Sequence, residues 1–404
     1  MQFKDVIGQT HVKEQLVQMV QHNRLSHALL FLGKEGSGGL SLAMAFAQFV
    51  VCEKANRKQE TGPSLFGEPE PIPISQLPTD SCGICPACIK AQKLIHPDIH
   101  FSYPVITKKS GEKPISTDFI AEWREFATMN PYGNVYDWLQ FINAENKQGN
   151  ITANECNDIN RKLNLKSFES EYKILIMWMP EFLGKEGNKL LKLIEEPPPN
   201  TLFIFVAENE SLILPTIISR TQLVKIAPLT NLEVEAALEL RAGANMEKAR
   251  QASILSEGNY REALQLLQHA EEDWHSLLRE WLNAILKTGP AAQVKWIEEI
   301  SKQGREKQKQ FLKYFTHLLE QAVRLRTTDN RQQASDVGGQ LSAETDFAMR
   351  LNKLCSISQQ NAIINELDKS SYYIERNANA KMLFHALSIR LYHIISNNSL
   401  ILVN

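Results

Sequence analysis

The sequence predicts an α/β domain with a parallel sheet, followed by two helical domains. The first observation behind this is that short apolar runs at 28–32, 172–178 and 201–207 alternate with helical stretches, the pattern of parallel strands buried on both faces. Next, the run at 28–32 enters a glycine loop, Gly33-Lys34-Glu35-Gly36-Ser37-Gly38-Gly39-Leu40, which opens an apolar helix. That is the strand, loop and helix order of a phosphate-binding site. Finally, beyond Pro228 the pattern turns helical, with no strand-like alternation and no clear repeat.

Bulk properties bound the rest. A chain of 404 residues with 43% hydrophobic content should build two or three soluble domains. A formal net charge of -2 argues against tight, charge-driven DNA binding by the chain alone, so any contact with nucleic acid is expected to be shared with partners. The N-terminus lacks a charged-then-apolar signal pattern and no apolar run is long enough to span a bilayer. The expected location is cytoplasmic, away from membranes.

In order along the chain, a helical pattern over 11–20 precedes the strand at 28–32. The glycine loop that follows is degenerate: Gly39 stands where a working loop has lysine, and Leu40 where it has Ser or Thr. The lysine meets the β- and γ-phosphates and the hydroxyl holds Mg²⁺, so only the backbone cradle of Gly33, Gly36, Gly38 and Gly39 survives. Lys34 lies too early to substitute, and Ser41 could approach Mg²⁺ only with a one-residue slip. Either the glycines make a tight turn and nothing more, or they keep a residual nucleotide cradle; the sequence leaves both open. The helix at 40–52 is apolar almost all round, as suits one packed on a sheet. The stretch 54–79, with Pro63, Pro69, Pro71, Pro73 and Pro78, reads as a surface insertion.

Cys82, Cys85 and Cys88 place three thiolates within one turn, which suits tetrahedral zinc and leaves one ligand to find. On chemistry, Cys52, His96 and His100 are the candidates. With no coordination position left for water, the zinc is expected to be structural.

A strand is expected over 100–105, a loop over 108–114 and helices over 117–166. After the strand at 172–178, a helix at 187–196 must stop before Pro197, because proline disfavours helical geometry in the residue ahead of it. Thr230 to Glu233 has capping-box spacing and begins a small helical domain that ends near residue 270. Helices fill the remainder from Trp274, interrupted by Gly289-Pro290, by 327–339 and by Asn397-Asn398. The stripe Leu383, Leu387, Leu391, Ile394 is expected to pack within a bundle.

The strings Asn188-Lys189-Leu190-Leu191-Lys192-Leu193-Ile194-Glu195-Glu196-Pro197-Pro198 and Leu214-Pro215-Thr216-Ile217-Ile218-Ser219-Arg220 resemble bacterial clamp-loader subunits of the AAA+ superfamily. Val6-Ile7-Gly8-Gln9, the cysteine cluster and Glu257-Gly258-Asn259-Tyr260-Arg261-Glu262-Ala263-Leu264, similar to that family's second sensor motif, add to the likeness over most of residues 1–270. The resemblance implies an AAA+ P-loop domain over 1–228 with a zinc module at 52–100, a helical lid over 229–272 and an all-α collar over 273–404. It also implies Cys52 as the fourth zinc ligand.

The chain resembles the branch of that family whose own ATP site is degenerate. Trp178 and Met179 stand where the acidic pair that holds and activates Mg²⁺-bound ATP should follow the strand, so no intrinsic ATPase is expected. Arg220 occupies the arginine of the family's Ser-Arg-Cys motif, with Thr221 in place of cysteine. The resemblance implies that this guanidinium acts in trans on the ATP of an adjacent subunit. Arg261 matches the sensor-two arginine; with no competent site below it, it either pairs with a carboxylate at the domain junction or binds an anion. The implied partners are clamp-loader ATPase subunits and a delta subunit and, through the complex, the sliding clamp and primed DNA within the DNA polymerase III holoenzyme. Two other readings remain: a motor ATPase with a divergent phosphate site that recruits Lys34 or Ser41, and a nucleic-acid-binding zinc module on an inactive AAA+ scaffold.

Overall fold

Five parallel strands form one sheet in the order β2-β3-β4-β1-β5: β1 (Ala28–Gly33), β2 (Ile99–Ser102), β3 (Lys173–Trp178), β4 (Thr201–Ala207) and β5 (Gln222–Ile226). This computed structural model describes residues 1–55, 78–107, 113–144, 147–268, 274–327, 343–375 and 378–396. Most of the stretch 54–79, most of 108–114, nearly all of 327–339 and Asn397-Asn398 lie outside them. No helix among the described residues is long and apolar enough to cross a membrane.

The apolar runs become strands because both sides of the sheet are covered. Leu29, Phe31, Ile176, Trp178, Ile204 and Val206 pack on one face with α2 (Gly39–Val51), whose residues from Leu40 onward are all buried. Leu30, Leu175, Met177, Phe203 and Phe205 pack on the other face with α6 (Ala153–Leu163) and α7 (Leu191–Glu195). The remaining elements of this part are α1 (Thr10–Gln21), α3 (Pro86–Gln92), α4 (Ile120–Met129), α5 (Val135–Phe141), α8 (Pro215–Ile218), α9 (Asn231–Ala242), α10 (Met246–Leu255) and α11 (Tyr260–Gln268).

Several expectations are corrected here. β5 gave no clear sequence signal, because it is a short edge strand that buries only Val224 and Ile226. The strand expected over 100–105 stops at Ser102, and Val105 instead bridges antiparallel to Asn150. The helical reading of 117–166 breaks into a 3₁₀ turn, α4, α5 and α6. Of the helix expected at 187–196, only Leu191–Glu195 is α-helical; a 3₁₀ segment, Pro180–Leu190, kinked at Gly184, takes the rest. The capping box forms as read: the Thr230 hydroxyl accepts from the Glu233 N–H at 3.3 Å, and the Glu233 carboxylate accepts from the Thr230 N–H at 2.8 Å.

The chain forms two compact units, Met1–Leu267 and Gln268–Asn404, so the helices α9 to α11 belong with the sheet. Within the second unit, α12 (Trp274–Asn283), α13 (Pro290–Lys302), α14 (Arg305–Thr327), α15 (Ala343–Leu354), α16 (Ile357–Glu375) and α17 (Ala380–Ser396) are the described elements, with one π-helical turn, Ala284–Thr288, ahead of Pro290. Trp281 stacks on Trp296 with ring centroids 4.9 Å apart, and its indole donates to Ser388 Oγ at 2.9 Å. Leu387, Leu391 and Ile394 are buried in that core, as their spacing requires.

Candidate functional site

The glycine loop joins β1 to α2 with Gly36 at φ +71° and Gly38 at φ +92°, conformations that side chains rarely adopt. Protein atoms fill the space around it. A Cβ on Gly36 would lie 1.8 Å from Asn259 Oδ1, and one on Gly38 would lie 2.8 Å from the Tyr132 ring. Tyr132 is fixed there by accepting the Ile7 N–H at 2.8 Å and by an edge contact with Tyr260 at 5.0 Å. Gln9 donates to the carbonyls of Ser37 (3.2 Å) and Ala227 (2.7 Å). A cavity of about 30 Å³ remains between the loop, Tyr132 and Met179. Small-molecule sites run from about 300 Å³ upward, whereas this space is about the size of one water.

Arg261 enters from the first turn of α11, and its side chain is only 6% exposed. Its Nη2 donates to Asp137 Oδ1 at 2.6 Å, its Nε to Asp137 Oδ2, and its Nη1 to Glu35 Oε1 at 3.1 Å. Asp137 is available because Asn134 and Asp137 form the capping box that starts α5, where a carboxylate is also favoured by the helix dipole. Glu35 belongs to the glycine loop itself and also accepts from Asn134 Nδ2 (3.1 Å) and Asn259 Nδ2 (3.2 Å). Of the two roles open to Arg261, this geometry is the carboxylate pair. Glu35, Asp137 and Tyr132 escaped the sequence reading; only the capping-box spacing at 134–137 hinted at any of them.

At the end of β3, Trp178 is 2% exposed. Its ring sits 5.2 Å from Trp123 and 6.1 Å from Phe126. Met179 adopts a left-handed backbone and donates its N–H to the Val206 carbonyl at 2.8 Å. Neither side chain can hold a metal or activate water as an acidic pair does. Ser41 is buried and donates to the Pro131 carbonyl at 2.9 Å.

Cys52, Cys82, Cys85 and Cys88 converge, with all four sulfurs within 4.8 Å of one another. The end of α2 delivers Cys52, and Cys85 caps the start of α3, where Pro86 occupies the first turn. A tetrahedral zinc with bonds of about 2.3 Å implies sulfur separations of about 3.8 Å; Cys82 and Cys88 stand 3.9 Å apart. The four thiols fit such an ion. Burial pushes the Cys52 and Cys88 thiols up. For Cys82 burial also acts upward, but hydrogen bonds from the backbone N–H groups of Ile84 and Cys85 and from the Cys85 and Cys52 thiols together bring the thiol down to about 6. The histidine candidates fall away. His96 Nε2 faces Glu169 at 3.2 Å and its Nδ1 lies 3.2 Å from the Asp98 N–H, and neither His96 nor His100 joins the sulfur cluster.

Arg220 follows α8. Its Nε donates to Glu195 Oε1 at 2.6 Å, Nη2 donates to the same oxygen, and Nη1 donates to the Thr216 carbonyl at 2.8 Å. The side chain keeps 32% exposure.

Among known proteins, the DNA polymerase III, delta subunit family matches residues 8–65 and 73–230. The chain is 26% identical over 311 residues to the DNA polymerase III subunit tau of Bacillus subtilis, covering 76% of this chain and 44% of that protein. It is 25% identical over 229 residues to the DNA polymerase III subunit delta′ of the same organism, covering 56% of this chain and 50% of that one. A Mycoplasma pneumoniae protein, the MG007 homolog, is 53% identical over 208 residues, covering 51% of this chain and 56% of its own length. The matched regions thus span about half the length of these relatives. With the family match extending over more than half of its residues, the chain belongs to the DNA polymerase III, delta subunit family.

Proposed function

We propose that this chain is a delta-prime-like, non-catalytic subunit of the replicative clamp loader, and that it works in the cytoplasm as a stator beside ATPase subunits and a delta subunit. In this reading Arg220 completes the ATP site of a neighbouring subunit, the second unit joins a collar, and a structural zinc sits on Cys52, Cys82, Cys85 and Cys88. The observation that carries it is the closed glycine loop: Asn259 lies against Gly36 and the Tyr132 ring against Gly38, and the cavity left beside the loop is about 30 Å³. A chain whose glycine loop is closed by its own side chains has no use for a triphosphate there, yet it retains Arg220 between α8 and β5. Fingers of that kind accelerate hydrolysis by about 10³ to 10⁵.

The test is reconstitution with the ATPase subunits of the same organism. The chain alone is expected to bind no MgATP in calorimetry and to hydrolyse none. Arg220→Ala should leave assembly intact and lower ATP turnover of the complex by about 10³. Unchanged turnover by the variant complex ends the trans role; hydrolysis by the lone chain, lost on Ser41→Ala, supports the motor reading instead.

A further inference from the structure

We propose that Glu195 is a positioning residue for the Arg220 guanidinium, an inference that rests on the trans-finger reading above. Arginine is long and flexible, with rotamer entropy to lose on ordering. Here its fork is ordered from both sides. Nε, at 2.6 Å, and Nη2 both donate to Glu195 Oε1. Nη1 donates to the Thr216 carbonyl at 2.8 Å and to Ser219 Oγ at 3.2 Å. The plane of the guanidinium is thereby set by α7 on one side and α8 on the other, while a third of the side chain stays open to an incoming group.

The placement of Glu195 breaks a local rule. It is the last residue of α7, at the negative end of a helix, where a carboxylate is disfavoured and a cation preferred. The guanidinium of Arg220 offsets that cost. A local rule broken in favour of one long-range partner, 25 positions away, marks a functional contact more than a folding one. When phosphoryl oxygens approach, the Nη2 hydrogen that Glu195 does not take meets them with the fork already in plane, so the ordering is complete before the charge arrives.

Because Nε and Nη2 use the same oxygen, the contact needs one acceptor and no negative charge, and a glutamine amide oxygen serves equally well. The experiment measures KM and kcat for ATP in the reconstituted complex with Glu195→Ala, Glu195→Gln and Arg220→Ala. Glu195→Ala should lower kcat about tenfold with KM for ATP within about twofold, and Glu195→Gln should recover most of kcat. Wild-type kcat in Glu195→Ala beside an impaired Arg220→Ala overturns the positioning role and leaves the finger standing. Equal loss in both Glu195 variants also overturns it, since orientation through one oxygen then explains nothing. Wild-type turnover in all three variants overturns the finger itself.

Discussion

Arg261 and Asp137 meet through two parallel hydrogen bonds, Nη2 to Oδ1 at 2.6 Å and Nε to Oδ2, between the first turns of α11 and α5. Nη1 extends the pair to Glu35 in the glycine loop, so the helices that follow the sheet are tied to the loop by charge with no ligand between them. Arg261→Ala would leave two carboxylates facing each other without their cation. Since Asp137 and Glu35 keep partial exposure, the expected loss is about 2–4 kcal/mol, below the full cost of breaking a wholly buried pair. Denaturant unfolding of the intact chain, monitored by tryptophan fluorescence, measures it; a loss under 1 kcal/mol would show that the pair is not a structural lock.

Gly36 has φ +71°, and an added Cβ would press on Asn259 at Oδ1 (1.8 Å) and Cα (2.9 Å). Gly36→Ala is therefore expected to cost about 1–3 kcal/mol of stability. The drop in melting temperature should be the same with and without MgATP, because the loop packs against Asn259 and not against a nucleotide. A drop that appears only with nucleotide present would contradict this.

Elemental analysis of the chain purified without chelator should find one zinc per chain. Chelation should loosen residues 80–92, and the N-terminus with them, because the Asp80 carboxylate holds the N–H groups of Phe3 (2.9 Å) and Lys4 (3.1 Å) beside the cysteine cluster. Amide exchange at residues 3–5 and 80–92 should rise while β1 and β4 stay protected. Stable protection at Cys85 and Cys88 after zinc removal would argue against a metal-held module.

His100 is held to a pKa of about 4, first by burial and then by the nearby Lys162. In the unfolded chain it titrates near 6.5. A base depressed on folding is neutral in the native state, so its contribution is whole above about pH 6.5 and is lost as the pH falls towards 4. Allowing for partial exposure, that loss is about 1–3 kcal/mol. His100→Gln should flatten the fall in melting temperature over this window; an unaltered slope would assign the acid sensitivity to other groups.

The strands β1, β3 and β4 were legible because burial on both faces demands unbroken apolar runs, whereas β5, half exposed and with Gln222 and Lys225 in its run, carries too little pattern to be seen. Cys85 and Cys88 announce a metal cluster through spacing alone. That Cys52 and not His96 completes it depends on where α2 ends relative to α3, and on Glu169 standing next to His96.

The sequence by itself determined which side chains stand along the glycine loop and at the end of β3. Gly39, Leu40, Trp178 and Met179 are side-chain identities at fixed offsets from a strand, and chemistry absent from a side chain cannot be restored by folding. What ties the glycine loop to the helices around it was decided only by the tertiary structure. Glu35, Asp137 and Arg261 are separated by more than a hundred positions, and charges so distant in the chain meet only because strand order and helix packing bring the loop, α5 and α11 to one point.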